Sequence, residues 1–199
     1  MKTYTARTFD LPALEGISED QVKVHLGLYE GYVKHVNLIL EQIEKLKESG
    51  TEPYVIAELR RRLAFEFDGM RMHEYYFDQF VGEAGGSPDS ALAKAAVEKY
   101  GSGENFVAHI KEVAGTRGIG WVIVYWDAVA ESLHTSFVGD HELGQLAGLP
   151  IILALDLWEH AYMVDRRPAD KPKYIDAFFA NLKWPVVEAR FDKAIASAA

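Results

Sequence analysis

Asp156 and His160 stand four residues apart, with Trp158 between them, in the stretch Asp156-Leu157-Trp158-Glu159-His160-Ala161-Tyr162. Just before them, Pro150-Ile151-Ile152-Leu153-Ala154-Leu155 is an apolar run bounded by Pro and too short for a stable helix, which predicts a buried strand. A carboxylate where a buried strand ends is expensive to desolvate unless a cation compensates it. A metal ion is the natural compensator, with His160 as a second ligand. The same spacing also suits an ordinary helix start, in which Asp156 caps the turn and His160 completes its hydrogen bonds. On spacing alone that plainer reading is favoured.

Two further imidazoles lie at apolar helical positions. His25 is flanked by Val22, Tyr29 and Tyr32, and His73 sits within Met70-Arg71-Met72-His73-Glu74-Tyr75-Tyr76-Phe77. Each alone is more often a satisfied core residue than a ligand. Taken with Asp156 and His160 they make three imidazoles and one carboxylate drawn from three separate elements. That set suits iron or manganese and not a hard calcium or magnesium cage.

The elements that must position these groups can be read from the pattern. Phe9-Asp10-Leu11-Pro12 is extended, because the residue before Pro is pushed out of the helical region. Ser18 with Gln21 reads as a capping box. It opens a helix in which Val22, His25, Tyr29, Tyr32, Val33, Val36, Ile39, Leu40 and Ile43 recur at helical spacing. A second helix is expected from about Val55 to about Phe80, folded back on the first as an antiparallel hairpin. Gly82-Glu83-Ala84-Gly85-Gly86-Ser87-Pro88-Asp89-Ser90 is the clearest linker. We place the domain boundary there, with residues 1–86 as a helical hairpin and 87–199 as an α/β domain. Beyond it, Ala91–Tyr100 and Glu104–Ala114 read as short helices, and 119–126, 132–138 and 151–155 as the strands of a small antiparallel sheet. Helix resumes from Asp170 through Tyr174, Phe178, Leu182 and Val187. The fold class is therefore α+β, with the candidate metal site between the two parts.

The chain has 199 residues, enough to bury a substantial core, and its composition is that of a soluble globular protein. A net charge of −9 argues against a general binder of nucleic acid or anionic membranes, and an anionic substrate would need a local basic funnel. The absence of cysteine excludes disulfides, thiolate zinc sites, iron–sulfur clusters and cysteine nucleophiles together. No secretory signal or membrane-length apolar run is visible, so a cytoplasmic location is the default expectation.

The string Asp156-x-Trp158-Glu159-His160-Ala161-Tyr162 resembles the signature of the iron/manganese superoxide dismutases, and the predicted architecture matches that resemblance over nearly the whole chain. The resemblance implies that His25, His73, Asp156 and His160 hold one iron or manganese ion in a five-coordinate centre, its fifth position taken by water or hydroxide. It implies dismutation of superoxide to dioxygen and hydrogen peroxide as the metal alternates between trivalent and divalent states. His141 would hydrogen-bond the solvent ligand, at a position where family members place Gln or His and some have Ala. Gly69 is the small residue expected when that group comes from the later strand. Trp121, in Gly118-Ile119-Gly120-Trp121, and Trp158 would wall the pocket. Tyr32 would be the gateway phenol, and Lys34 or Arg167 would help steer the anion. Glu159 would bond the metal-ligand His of a second subunit, giving a homodimer.

Several positions depart from the family pattern. The spacing from the first ligand to the gateway Tyr is usually eight with a His midway, but His25 and Tyr32 are seven apart. Seven residues return almost to the same helix face, whereas eight require an inserted, π-type residue, so a straight first helix is expected. Leu28 or Tyr29 replaces the midway His. Met163 replaces the Tyr that pairs with it across the dimer, so the interface should be altered at Tyr29/Met163. Met72 and Phe77 stand where Asn and Trp are usual. Two other metalloenzyme readings fit less well. An oxygenase facial triad has fewer protein ligands. A di-iron bundle needs paired Glu-x-x-His motifs, and Glu131-Ser132-Leu133-His134 has no twin. A metal-binding relative with weak or lost dismutase activity is the remaining alternative. His35, His109 and His134 have no assigned role.

Overall fold

A computed structural model describes residues 3–197. Two long helices, α1 (Glu19–Glu48) and α2 (Pro53–Asp78), pack as the expected antiparallel hairpin. The α1 helix starts where Ser18 accepts a hydrogen bond from the Gln21 amide, with Glu19 and Asp20 favouring the positive end of its dipole. It then runs as uninterrupted α-helix past both His25 and Tyr32. Only half of the capping box forms. The Ser18 amide is taken by Asp165, which frees the Gln21 side chain for a different task described below.

After 79–90, which carries no helix or strand, come α3 (Ala91–Tyr100) and α4 (Gly103–Ala114), each opened by a serine cap. The three strands β1 (Gly120–Asp127), β2 (Ser132–Gly139) and β3 (Ile151–Asp156) form an antiparallel sheet in the order β2-β1-β3. The central strand β1 reads Trp-Val-Ile-Val-Tyr-Trp because both of its faces are covered. Short 3₁₀ turns at Glu159–Ala161 and Pro168–Asp170 lead to α5 (Lys171–Asn181) and α6 (Trp184–Ala196). What read as one closing helix is two. Leu182 is extended, and Pro185 in the first turn of α6 cannot continue α5.

Two features bring the hairpin onto the sheet. Edge strand β3 would leave a peptide unpaired, but the buried Gln79 donates to the Ala154 carbonyl (2.7 Å) and accepts from the Ala154 amide (2.9 Å). One side chain thereby completes the edge where α2 ends. At the start of the central strand β1, Gly120 has φ +143°, and a Cβ there would meet the Val138 carbonyl at 2.0 Å. This residue must be glycine for the strands to close beside the site.

One expectation is corrected here. Tyr29 does not reach the surface: it is fully buried, accepting from the Arg7 amide (2.8 Å) and donating to Glu74 (3.2 Å). It anchors the extended N-terminal segment, whose Tyr4 is also paired with Asn37. The residue beside it, Leu28, is the exposed one, as is Met163.

Candidate metal centre

His25, His73, Asp156 and His160 converge. One ligand atom from each lies within 4.8 Å of all the others. Asp156 Oδ2 is 2.9 Å from His25 Nε2, 3.2 Å from His160 Nε2 and 3.5 Å from His73 Nε2, and the His73 and His160 Nε2 atoms are 3.3 Å apart. The first three residues are buried, and His160 is nearly so.

Each group is oriented by its own element. His25 comes from α1. His73, on α2, places Nδ1 2.6 Å from the Gly69 carbonyl one turn earlier, so Nδ1–H donates there and Nε2 is turned to the centre. Asp156 ends β3, held in register opposite Trp121 of β1. Its Oδ1 accepts from the Trp158 amide at 2.8 Å, so the turn-capping role is real. Capping uses one oxygen and leaves Oδ2 to the histidines. The 3₁₀ turn carrying His160 is fastened to α1 by Gln21, which donates to the His160 carbonyl (2.6 Å) and accepts from the Val164 amide (2.9 Å). Gln21 is buried one helical turn before His25. A polar residue at that inward position was a signal beyond its capping role.

Burial lowers the His25 pKa and drives that of His73 well below the ordinary value, so both stay neutral at neutral pH. Burial alone would raise the Asp156 carboxyl. The His160 and His25 imidazoles at Oδ2 outweigh it and hold the group ionised, far below the usual carboxylate range. The result is a fully buried anion ringed by imidazole nitrogens, an arrangement that a metal cation completes. Three borderline nitrogens and one carboxylate fit iron or manganese.

Beside these four residues, His141 sits in the middle of a hydrogen-bonded chain. Trp121 Nε1–H donates to His141 Nδ1 (2.9 Å), and His141 Nε2 lies 2.8 Å from Tyr32 Oη. An indole nitrogen can only donate, so the Nδ1 of a neutral His141 must be the acceptor and its proton rides on Nε2. Burial lowers the His141 pKa to about 4, in keeping with that neutral form. His141 therefore donates to Tyr32, whose own phenolic proton is left for another acceptor. Burial also raises the Tyr32 pKa, so the phenol keeps that proton.

His141 is held from behind as well. Asp140 adopts φ +52°, and its carbonyl accepts from Trp158 Nε1 at 3.1 Å, while the Trp158 ring stacks on His141 at 4.9 Å. Gly69 faces the Tyr32 ring, and a Cβ there would stand 2.7 Å from a ring carbon. The sequence reading missed Phe65, whose ring centroid lies 4.6 Å from His141 and 6.3 Å from both Tyr32 and Trp158. Phe65, Gly69 and His73 fall at successive four-residue steps along one face of α2, which was the available signal.

Glu159 is exposed, and its side chain has no hydrogen bond or ion pair among the described residues. Among the described residues, neither Lys34 nor Arg167 makes a side-chain hydrogen bond with Tyr32, His141 or Trp158. His35 lies beside Glu66, His109 stacks on Tyr100, and His134 lies near Asp127.

Comparison with known proteins agrees with this geometry. Residues 88–190 match the iron/manganese superoxide dismutases, C-terminal domain. The chain is 34% identical to "Superoxide dismutase [Fe]" of Aquifex aeolicus over 191 residues, covering 92% of this chain and 87% of that protein. It is 32% identical to "Superoxide dismutase [Fe]" of Saccharolobus solfataricus, covering 93% and 90%. It is also 32% identical to "Superoxide dismutase [Mn] 2" of Halobacterium salinarum, covering 94% and 93%. With a matching family domain over half its length and relatives that span nearly all of it, the chain belongs to the iron/manganese superoxide dismutase family.

Proposed function

We propose that this protein is a working superoxide dismutase, with one iron or manganese ion held by His25, His73, Asp156 and His160. The observation that carries the reading is the buried Asp156 carboxylate faced by three imidazole nitrogens within 3.5 Å. A metal ion held there would supply one-electron redox chemistry, by which one superoxide would be oxidised to dioxygen and a second, with two protons, reduced to hydrogen peroxide.

The chain's own residues manage the protons and the access. Trp121 fixes the His141 tautomer, and His141 Nε2–H fixes the Tyr32 hydroxyl. Tyr32, protonated and half-buried, is placed to pass a proton inward. Phe65 and Trp158 restrict water around it. His141 is thus both the tuning residue and the link between wall and gateway.

The finer features follow the same reading. Glu159, exposed and unpartnered within its own chain among the described residues, is left for a second copy, and a homodimer accounts for it. Leu28 and Met163, 38% and 42% exposed, make the altered part of that interface apolar. The division near Gly86 sets the hairpin's two ligands on one side and Asp156 and His160 on the other. Among the described residues no helix is long and apolar enough to cross a membrane. A cytoplasmic location is part of the proposal.

The test is separate reconstitution with iron and with manganese, followed by direct measurement of superoxide decay. At least one form should consume superoxide catalytically with about one metal per chain. Two fully loaded but inactive forms would sink the enzyme reading.

A further inference from the structure

An acidic protein that consumes a small anion has an electrostatic problem, because the net charge of −9 repels its substrate. The cations expected to relieve it, Lys34 and Arg167, make no side-chain hydrogen bond or cation–π pair with Tyr32, His141, Phe65 or Trp158 among the described residues. Other arginines near the hairpin are committed elsewhere: Arg7 to Asp78, Arg71 to Glu74 and Arg190 to Gln79 and the Tyr75 carbonyl.

Arg62 is placed differently. Its guanidinium lies 3.7 Å over the Phe65 ring, the ring that touches His141 and closes against Tyr32 and Trp158. It is held there by Glu66 one turn along α2, with Nε at 2.8 Å and Nη2 at 2.7 Å from the same oxygen. The other Glu66 oxygen is buried and has no hydrogen-bond partner, with His35 Nδ1 3.5 Å away. The pair is lopsided. The Glu66 side chain is 6% exposed and that of Arg62 is 49% exposed, so the negative end is sunk between the helices and the positive end faces water beside the partly exposed Phe65. An ordinary surface i,i+4 pair has both ends in solvent and does not spend a buried carboxylate oxygen.

We propose that Arg62 is the steering cation of this site, set over Phe65 by Glu66 so that superoxide is drawn to the partly exposed side of the site that Phe65, Tyr32 and Trp158 form. This rests on the dismutase reading above. Arg62 is a positioning residue for the substrate's approach and takes no part in proton or electron transfer.

The experiment compares wild-type protein with Arg62→Lys, Arg62→Gln and Arg62→Glu, each loaded with the same metal and checked for metal content and melting temperature. At low ionic strength, kcat/KM should fall several-fold for Arg62→Gln and about tenfold for Arg62→Glu, while Arg62→Lys keeps most of it. The loss should fall on kcat/KM and not on kcat. The four proteins should converge near 1 M salt, where the screening length is about 3 Å. A second readout needs no turnover: the dissociation constant of azide, a small anion, followed optically in the loaded protein, should rise in the same order. Equal azide affinity and equal salt dependence in wild-type and Arg62→Glu proteins of matched metal content would overturn the proposal. If the loaded wild type does not consume superoxide, the dismutase reading fails, and the azide series still decides whether Arg62 draws anions in.

Discussion

The inner and outer ends of the site are built differently. Inside, His25, His73 and Asp156 are buried and tied to one another, to the Gly69 carbonyl and to the Trp158 amide. Outside, Tyr32, Phe65 and Trp158 are half-buried, Arg62 is half-exposed, and Glu66 keeps a buried oxygen without a partner. The inner groups retain every residue type that the family resemblance requires. The outer region and the nearby surface hold the seven-residue step to Tyr32, Leu28 and Met163, while the two buried departures, Met72 and Phe77, are apolar and carry no charge. The difference follows from what each end must satisfy. A buried ligand set tolerates no substitution that leaves a charge uncompensated, whereas an access route needs only a suitable shape and field.

The sharpest way to break this comparison lies on its border, at the Trp121–His141–Tyr32 chain. Trp121→Phe removes the donor that fixes the His141 tautomer, and His141→Ala removes the link itself. Each should lower turnover about 10- to 100-fold while metal content stays near one per chain. Unchanged turnover in both would detach His141 from the chemistry and leave it as wall packing. Stability measurements come next. Gly69→Ala drives a methyl group into the Tyr32 ring at 2.7 Å. Thermal unfolding should show a loss of about 1–3 kcal/mol, with a partial loss of activity as Tyr32 shifts away from His141. A neutral result would mean that the ring moves freely.

The smallest effect concerns Asp68, one residue before Gly69. Partial burial, with Glu142 nearby, raises its pKa to about 6. Between about pH 4 and pH 6 the folded chain holds a proton there that the unfolded chain has lost, so stability falls as pH rises through that window. Asp68→Asn should therefore stabilise the protein at pH 7–8, by roughly 1 kcal/mol once solvent screening is allowed for. Its advantage should vanish below pH 4. Equal melting temperatures for the two proteins at pH 8 would refute the shift.

The same contrast governs what could be read without a structure. The hairpin and the three strands were legible in local spacing, and the convergence of His25, His73, Asp156 and His160 was legible through the resemblance carried by the Asp156–Tyr162 string. The seven-residue step from His25 to Tyr32 also pointed to an α1 without a π-type insertion, and the helix is uninterrupted there. What escaped depends on contacts between distant elements. Gln21 looked like a capping partner, but Asp165 takes the Ser18 amide and sends the Gln21 side chain to His160 instead. Tyr29 looked like an interface residue, yet Arg7 and Glu74 hold its hydroxyl in the core. Helical periodicity alone does not separate Leu28 from Tyr29, and the N-terminal segment that covers Tyr29 decides the matter. Arg62 and Phe65 are ordinary helix residues until α2 is laid against β1 and the loop bearing His141.

The central claim is that Asp156 is a buried anion completed by iron or manganese. It is tested most directly by melting metal-free wild-type and Asp156→Asn proteins at pH 8, each with and without an excess of the metal. Without metal, the Asn variant should be less stable than wild type at pH 8, because the imidazoles that hold Asp156 ionised favour the folded carboxylate. Metal should then raise the wild-type melting temperature by many degrees and leave the variant nearly unmoved, since only binding to the folded state stabilises it. Equal stabilisation of both proteins by metal would contradict the account.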